Sequence, residues 1–92
     1  MKNILQISKI IKDCKTEKEI SAFLHELFTE SELSDLSKRW QILCMLNEGR
    51  TQREIAQKLG VSLCKVTRGA KIFKDENSIA TKYLRKDTLK KW

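Results

Sequence analysis

Apolar residues recur every three or four positions from one end of this chain to the other, which is the period of a helix buried along one side. Six segments follow that period. They cover residues 3–14, 17–28, 30–46, 52–59, 63–73 and 78 onward. No segment has the alternating pattern of a strand. We therefore predict an all-α fold of six helices in one domain over residues 1–92.

Polar residues and glycines mark where these helices begin and end. Three pairs match the capping box, in which a threonine hydroxyl and a glutamate three residues later satisfy each other's free amide groups. The pairs are Thr16–Glu19, Thr29–Glu32 and Thr51–Glu54. Ser62 and Ser78 are placed to cap the last two helices. Gly49 and Gly60 stand where a left-handed C-terminal cap favours glycine.

Charge is distributed unequally between the two halves of the chain, whose net charge is +7. Residues 1–48 carry 7 Lys and Arg against 8 Asp and Glu, whereas residues 49–92 carry 12 against 4. The segment 49–74 alone has 7 basic residues and 1 acidic residue. This contrast favours a polyanion-binding half and a half with another role.

The first two helices carry much apolar surface for a chain of 92 residues. A domain of this size buries only about 60–65% of its unfolded surface. A monomeric bundle is one interpretation of residues 1–48. The interpretation that we favour is a dimerisation part that packs against a second copy of the chain, which predicts a homodimer.

Several other classes of protein are excluded by what the chain lacks. No apolar run approaches the roughly 18–20 residues of a membrane span, and no signal peptide is visible, so we expect a cytoplasmic protein with no membrane partner. Cys14, Cys44 and Cys64 match neither a disulfide framework nor a zinc site. No catalytic pair can be assembled around His25, so we expect neither an enzyme, nor a metal, nor a cofactor.

Residues 51–73 have the spacing of a helix-turn-helix. Ala56 is small where the two helices cross, Gly60 makes the turn, and Val66 locks the second helix onto the first. Such a motif places its second helix in the major groove of DNA while the first lies across the backbone. In so basic a segment it predicts double-stranded DNA as the partner, and a palindromic site for a dimer. A helix-turn-helix that docks on another protein is the alternative.

The start of the second helix is the part expected to read base edges. Lys65 is placed to donate to guanine, and Leu63 and the Thr67 methyl group to meet a thymine methyl. Arg53 is placed to reach a phosphate or a guanine, and Lys74 a phosphate. The predicted DNA-binding residues are Gln52, Arg53, Ser62, Leu63, Cys64, Lys65, Thr67 and Lys74.

Two short motifs resemble those of the tryptophan operon repressor (Trp repressor) family. They are Gln52-Arg53-Glu54 and Thr67-Arg68-Gly69, the second followed five residues later by Lys74. The resemblance runs from about Phe28 to Lys74. Its most specific part is Thr-Arg-Gly, because generic helix-turn-helix proteins usually have an aliphatic residue where Gly69 sits. The resemblance implies a six-helix Trp-repressor-like fold, an intertwined homodimer, and a repressor that binds its operator when an amino-acid corepressor is bound.

The same resemblance implies a corepressor-binding site. That family grips L-tryptophan between two arginines, helped by a threonine just before the long helix, and the matching residues here are Arg39, Arg68 and Thr29. Gly69 lets the indole approach the backbone. Ile72 departs from the family, which has a small, often hydroxyl-bearing residue near the amino group of the corepressor.

The branched side chain of Ile72 leaves three interpretations open. The site binds L-tryptophan in spite of it, or Ile72 fills the cavity itself and the protein binds DNA without a corepressor. In the third interpretation the site is shaped for a ligand that lacks the ammonium group, such as an indole acid.

Overall fold

The computed structural model describes the backbone of residues 1–90 and the side chains of residues 1–86, and all regular structure within that range is helical. The helices are α1 (Lys2–Asp13), α2 (Glu17–Leu27), α3 (Glu30–Asn47), α4 (Gln52–Leu59), α5 (Leu63–Lys74) and α6 (Ile79–Lys90). The predicted all-α fold is confirmed. The predicted C-terminal segment 78–92 ends at two residues, 91 and 92, that lie outside the described part.

Capping boxes form at two of the three helix starts where the sequence predicts them, those of α3 and α4. At α4, Glu54 N–H donates to the Thr51 hydroxyl at 3.2 Å, and Thr51 N–H donates to the Glu54 carboxylate at 3.2 Å. Thr29 and Glu32 make the same exchange at the start of α3, at 3.1 and 2.9 Å. The box at α2 is altered, because its glutamate accepts from the N–H of Lys15 instead of from the capping threonine. Each of these three helices therefore begins at the predicted threonine.

Two glycines end helices in the left-handed conformation. Gly49 has φ +87° after α3, and Gly60 has φ +65° after α4. Beyond Gly60, the N–H of Val61 donates back to the carbonyl of Ala56 at 3.1 Å. This bond closes the last turn of α4 and reverses the chain toward α5, as the predicted helix-turn-helix requires.

The chain divides into two compact units, Met1–Ser34 and Asp35–Trp92. In the first unit, α1 and α2 contain no buried residue. Ile4 and Leu5 of α1 are 52% and 70% exposed, and Leu27 of α2 is 49% exposed. Ile7, Ile11, Phe23 and Leu24 are half-buried, so the apolar sides of these helices are only partly covered within one chain.

The second unit has a hydrophobic core. Its centre consists of four buried residues, Ile42, Met45, Ile55 and Val66, with Leu46, Ala56, Leu59 and Val61 packed around them. Ile55 and Val66 are 0% exposed. The apolar residues of α4 and α5 that were predicted to face the core do so. The two helices of the motif are held together by side chains that exclude solvent.

The side of α3 that faces this core differs in part from the predicted one. Helical spacing predicts an apolar stripe through Leu33, Leu36, Trp40, Leu43 and Leu46. Leu43 is buried and Leu46 packs against the core, but Leu36 is 42% and Trp40 41% exposed. Ile42 and Met45 are buried as well. The prediction of a buried Trp40 was wrong because α3 carries apolar residues on more than one side, so periodicity alone does not select the side that packs.

Helix α6 is fastened to the end of α5 by a buried hydroxyl. Of the apolar residues predicted to pack, Leu84 is buried at 7% exposure, but Ile79 and Tyr83 are 86% and 57% exposed. Thr81 is 1% exposed, and its hydroxyl donates to the carbonyl of Ile72 at 3.0 Å and to that of the following residue at 3.3 Å. The hydroxyl thus bonds two carbonyls of the last turn of α5, and that of Ile72 also accepts from the Asp75 N–H at 3.1 Å.

Candidate nucleic-acid interface and adjoining cavity

The two helices of the motif are joined on their exposed side as well as through the core. The Thr67 hydroxyl donates to Oε1 of Gln52 at 2.9 Å. Because this bond occupies the amide oxygen, the amide nitrogen of Gln52 remains as a donor for an outside acceptor. Two residues predicted to contact DNA are therefore oriented by each other.

The start of α5 presents an exposed surface. Ser62 caps the helix by accepting from the Lys65 N–H at 3.3 Å. Leu63 is 47% exposed, and Cys64 is a free, exposed cysteine. Of the eight residues predicted to contact DNA, seven are exposed and Gln52 is half-buried. All eight belong to the helix-turn-helix or its caps, and none is part of the buried core.

This surface has little negative charge to offset its basic residues. Glu54 is the acidic residue of segment 49–74, and it caps α4. Hydrogen bonds from the backbone N–H and hydroxyl of Thr51 hold the pKa of the Glu54 carboxyl below its ordinary value. Across the described part of the chain, the one ion pair joins Arg50 Nε to Glu48 Oε1 at 3.0 Å. The exposed cations of α4 and α5 thus remain available to a polyanion.

A cavity of about 400 Å³ lies between α3 and α5, on the second unit. Each helix contributes residues at i, i+3, i+4 and i+7, the spacing that puts side chains on one side of a helix. From α3 these are Leu36, Arg39, Trp40 and Leu43, with Ile42 beside them. From α5 they are Lys65, Arg68, Gly69 and Ile72.

The cavity brings together four of the five residues predicted to bind a corepressor. Arg39, Arg68, Gly69 and Ile72 all line it. The fifth, Thr29, caps α3 in the first unit through its bond to the Glu32 N–H. Ile72 is 39% exposed and forms part of the wall while the space beside it remains open.

Gly69 has a packing role in addition to the one that the resemblance implies. A Cβ atom on this residue would lie 2.7 Å from Cγ2 of Ile42. Atoms do not approach so closely without displacement, so α3 and α5 reach their observed separation because residue 69 has no side chain. Gly69 and Ile42 both line the cavity.

Sequence reasoning missed part of the cavity wall. Lys65 was predicted only as a DNA contact, yet it lines the cavity one turn before Arg68. Trp40 was predicted in the core from its helical spacing, yet it lines the cavity. The centroid of its ring lies 6.2 Å from the centroid of the Tyr83 ring, with 56° between the two ring planes. The signal was available in the spacing, since Lys65 shares a side of α5 with Arg68 and Ile72.

Comparison with known protein families gives a match over nearly the whole chain. A family model described as Trp repressor protein matches residues 2–88. The chain belongs to the Trp repressor family. The resemblance found in the sequence is confirmed, and transcription regulation by DNA binding follows as the activity of the family.

Curated relatives within the Trp repressor family agree with this assignment. A Trp operon repressor homolog of Xylella fastidiosa (strain M23) is 43% identical over 67 residues, covering 70% of this chain and 73% of the relative. A Trp operon repressor homolog of Chlamydia trachomatis serovar D is 40% identical over 70 residues, covering 71% and 74%. No solved structure matches the chain significantly. Among the described helices of this Trp repressor family chain, none is long and apolar enough to cross a membrane.

Proposed function

We propose that this protein is a homodimeric transcriptional repressor that binds a palindromic DNA site and is controlled by L-tryptophan or a related corepressor. The observation that carries the proposal is the double use of α5. Exposed residues on one side of α5 belong to the basic surface of the helix-turn-helix. Residues on another side of α5 line the cavity together with Arg39 of α3. A ligand in the cavity touches the helix that reads DNA.

The residues on α5 support sequence-specific reading. Leu63, Cys64 and Thr67 are exposed within its first turns, where a helix-turn-helix contacts base edges. The bond between Thr67 and Gln52 fixes one donor beside them. Arg53 and Lys74, exposed at the two ends of the motif, are suited to positioning phosphate contacts.

The open apolar sides of α1 and α2 support a homodimer. Both helices are free of buried residues within one chain, and exposed apolar surface of this kind marks an association site. A second copy supplies a matching apolar surface by symmetry. Two copies of α5 then read two half-sites about one helical turn apart.

Selection of duplexes from a random library, with and without L-tryptophan, tests the proposal. We expect enrichment of a palindrome and salt-sensitive retardation of the selected duplex. An absence of retardation at about 50 mM salt contradicts DNA binding and favours the protein-interaction module. Retardation that is identical with and without any ligand favours the ligand-independent regulator instead.

Replacement of Arg53 by Ala separates base reading from phosphate contact. If Arg53 reads a base, the selected duplex loses about 1–3 kcal/mol of binding free energy and random DNA loses less. An equal loss on both duplexes assigns Arg53 to a phosphate. Lys9→Ala is the matched control, because Lys9 is also exposed and cationic but lies on α1.

A further inference from the structure

A side-chain hydrogen bond joins α4 to α5 on the exposed side of the helix-turn-helix. The Thr67 hydroxyl donates to Oε1 of Gln52 at 2.9 Å. A hydrogen bond that is open to water contributes little to stability, because water can replace either partner. The two helices are already held together by Ile55 and Val66, which are fully buried. The consequence of the bond therefore lies in the orientation of the two polar side chains.

The bond determines which hydrogen-bonding groups the pair has left for DNA. A hydroxyl has one proton, and Thr67 gives it to Gln52, so the threonine has no donor for a second partner. The amide oxygen of Gln52 is occupied, which turns the amide nitrogen away from Thr67. The two protons on this nitrogen have no acceptor within the described residues. The pair therefore offers an outside partner the donor on Gln52.

Gln52 is placed to meet the DNA backbone. It is the first residue of α4, and the first helix of a helix-turn-helix lies across the backbone while the second enters the groove. Phosphate oxygens accept hydrogen bonds, and glutamine is among the residues that donate to them. Ordering a flexible side chain at the moment of binding costs affinity. Because Thr67 holds the amide in advance, much of that cost is removed.

We propose that Thr67 is a positioning residue, whose hydroxyl holds the Gln52 amide so that its nitrogen donates to a phosphate of the bound duplex. This inference rests on the proposed function, because it assigns a contact within the same DNA interface. It differs from the expectation that the Thr67 methyl group meets a thymine methyl. In the positioning role, affinity depends on the hydroxyl of Thr67 and not on its methyl group.

Two substitutions at position 67 separate the hydroxyl from the methyl group. Thr67→Val keeps the branched shape and removes the hydroxyl, whereas Thr67→Ser keeps the hydroxyl and removes the methyl group. We expect Thr67→Val to bind the selected duplex about three- to tenfold more weakly, because the amide is then ordered only on binding. Thr67→Ser should recover most of that affinity. The loss in Thr67→Val should be equal on random DNA, since a phosphate contact carries no sequence information.

Substitutions at position 52 test the donor itself. Gln52→Met removes the amide at similar length and should weaken binding at least about tenfold, the size of one hydrogen bond to a charged group. In the Gln52→Met protein, Thr67→Val should have no further effect, because the two residues act as one unit. Gln57→Met is the matched control, since Gln57 is exposed on the same helix and lies outside the predicted contacts. Urea unfolding of each variant verifies that the helix-turn-helix is intact.

Duplexes with a single uncharged methylphosphonate identify the acceptor. Each phosphate of the selected duplex is replaced in turn, and binding is measured with the unaltered protein and with Gln52→Met. We expect one phosphate in each half-site whose replacement weakens the unaltered protein but has little effect on Gln52→Met. A role of Gln52 in stability alone would leave the two replacement profiles parallel.

The proposal is overturned by Thr67→Val binding as tightly as the unaltered protein, by Thr67→Ser being the weaker of the two, by additive effects of Gln52→Met and Thr67→Val, or by parallel methylphosphonate profiles. Retardation of the selected duplex by the unaltered protein decides DNA binding separately. A chain that binds DNA but gives one of these four results keeps the proposed repressor function and loses the positioning role of Thr67. A chain that retards no duplex loses both.

Discussion

The two compact units of this protein contain equally regular helices, but only the second unit buries a core. Thr16 caps α2 and Thr51 caps α4 in the same manner, each accepting from the N–H three residues later at 3.2 Å. Ile55, just after the second cap, is fully buried, whereas α2 has no buried residue. Capping and periodicity thus determine where a helix forms, and a separate requirement determines whether its apolar side is covered.

That difference separates the roles of the units. The unit Asp35–Trp92 holds its own helices by packing and carries both the cavity and the exposed basic surface. The unit Met1–Ser34 keeps apolar side chains at its surface, where a second chain is the proposed cover. Three substitutions, taken from the largest expected effect to the smallest, test how far this contrast extends.

Ile4→Glu tests the open side of α1. Ile4 is 52% exposed in one chain, so a carboxylate there costs little in a monomer. Where a second copy covers the residue, burial of an unpaired charge costs several kcal/mol. We expect the dimer to weaken by at least about a hundredfold, measured by sedimentation equilibrium over a range of concentrations.

Gln6→Glu is the control for that experiment, because it adds the same charge at an exposed residue on the polar side of α1. The control should retain the assembly of the unaltered protein. An identical mass distribution for both variants would show that α1 does not form the interface.

Gly69→Ala tests the tight packing of the second unit. The added Cβ would lie 2.7 Å from Cγ2 of Ile42, and such overpacking costs about 1–3 kcal/mol. Alanine recovers up to about 1 kcal/mol through its helix propensity, so we expect a net loss of about 1–2 kcal/mol in urea unfolding. A second substitution, Ile42→Leu, removes the branch at Cβ of residue 42 and should restore most of the lost free energy of unfolding.

Ser21→Ala in α2 is the comparison from the first unit. Ser21 is exposed, and a surface substitution of this kind changes stability by less than about 0.5 kcal/mol. A Gly69→Ala variant as stable as Ser21→Ala would mean that α3 and α5 separate freely at their crossing.

Of the three test substitutions, Thr51→Ala has the smallest expected effect, a loss of about 1 kcal/mol in the free energy of unfolding, because it removes the cap of α4. The low pKa of Glu54 gives this loss a pH dependence. Since the carboxyl is more acidic in the folded protein than in the unfolded chain, its contribution is present above the ordinary glutamate range and is lost as the pH falls through the folded pKa. The free energy of unfolding in urea should therefore differ between the variant and the original protein by an amount that becomes smaller as the pH is lowered. A difference that stays constant with pH would exclude Glu54 as its source.

The sequence was sufficient for the helices and for much of the cavity. Helical spacing and caps located the six helices of the described residues, and the Thr-Arg-Gly motif pointed to the helix that carries Arg68 and Gly69. What spacing did not supply was the packing direction of α3, which has apolar residues on several sides. Exposed Trp40 and buried Ile42 are two residues apart, and only the approach of α5 decides between them.

Lys65 and Thr81 escaped prediction for a different reason. Both have polar side chains whose role depends on a partner helix far away in sequence. Lys65 lines the cavity because α3 lies opposite, and Thr81 is buried where its hydroxyl bonds two carbonyls at the end of α5. Local periodicity places Lys65 on the same side of α5 as Arg68, but it contains no information about which helix lies opposite.

The crossing at Gly69 has a mechanical consequence. Most helix pairs meet through side chains, whose rotamers absorb small shifts before the backbones move. Here the backbone of α5 packs directly against the branched side chain of Ile42, so one of the two side chains is missing from the contact. A displacement of α3 at that point acts on the backbone of α5 through Ile42 alone, and a small shift of α3 is therefore transmitted to α5 as a movement of the helix.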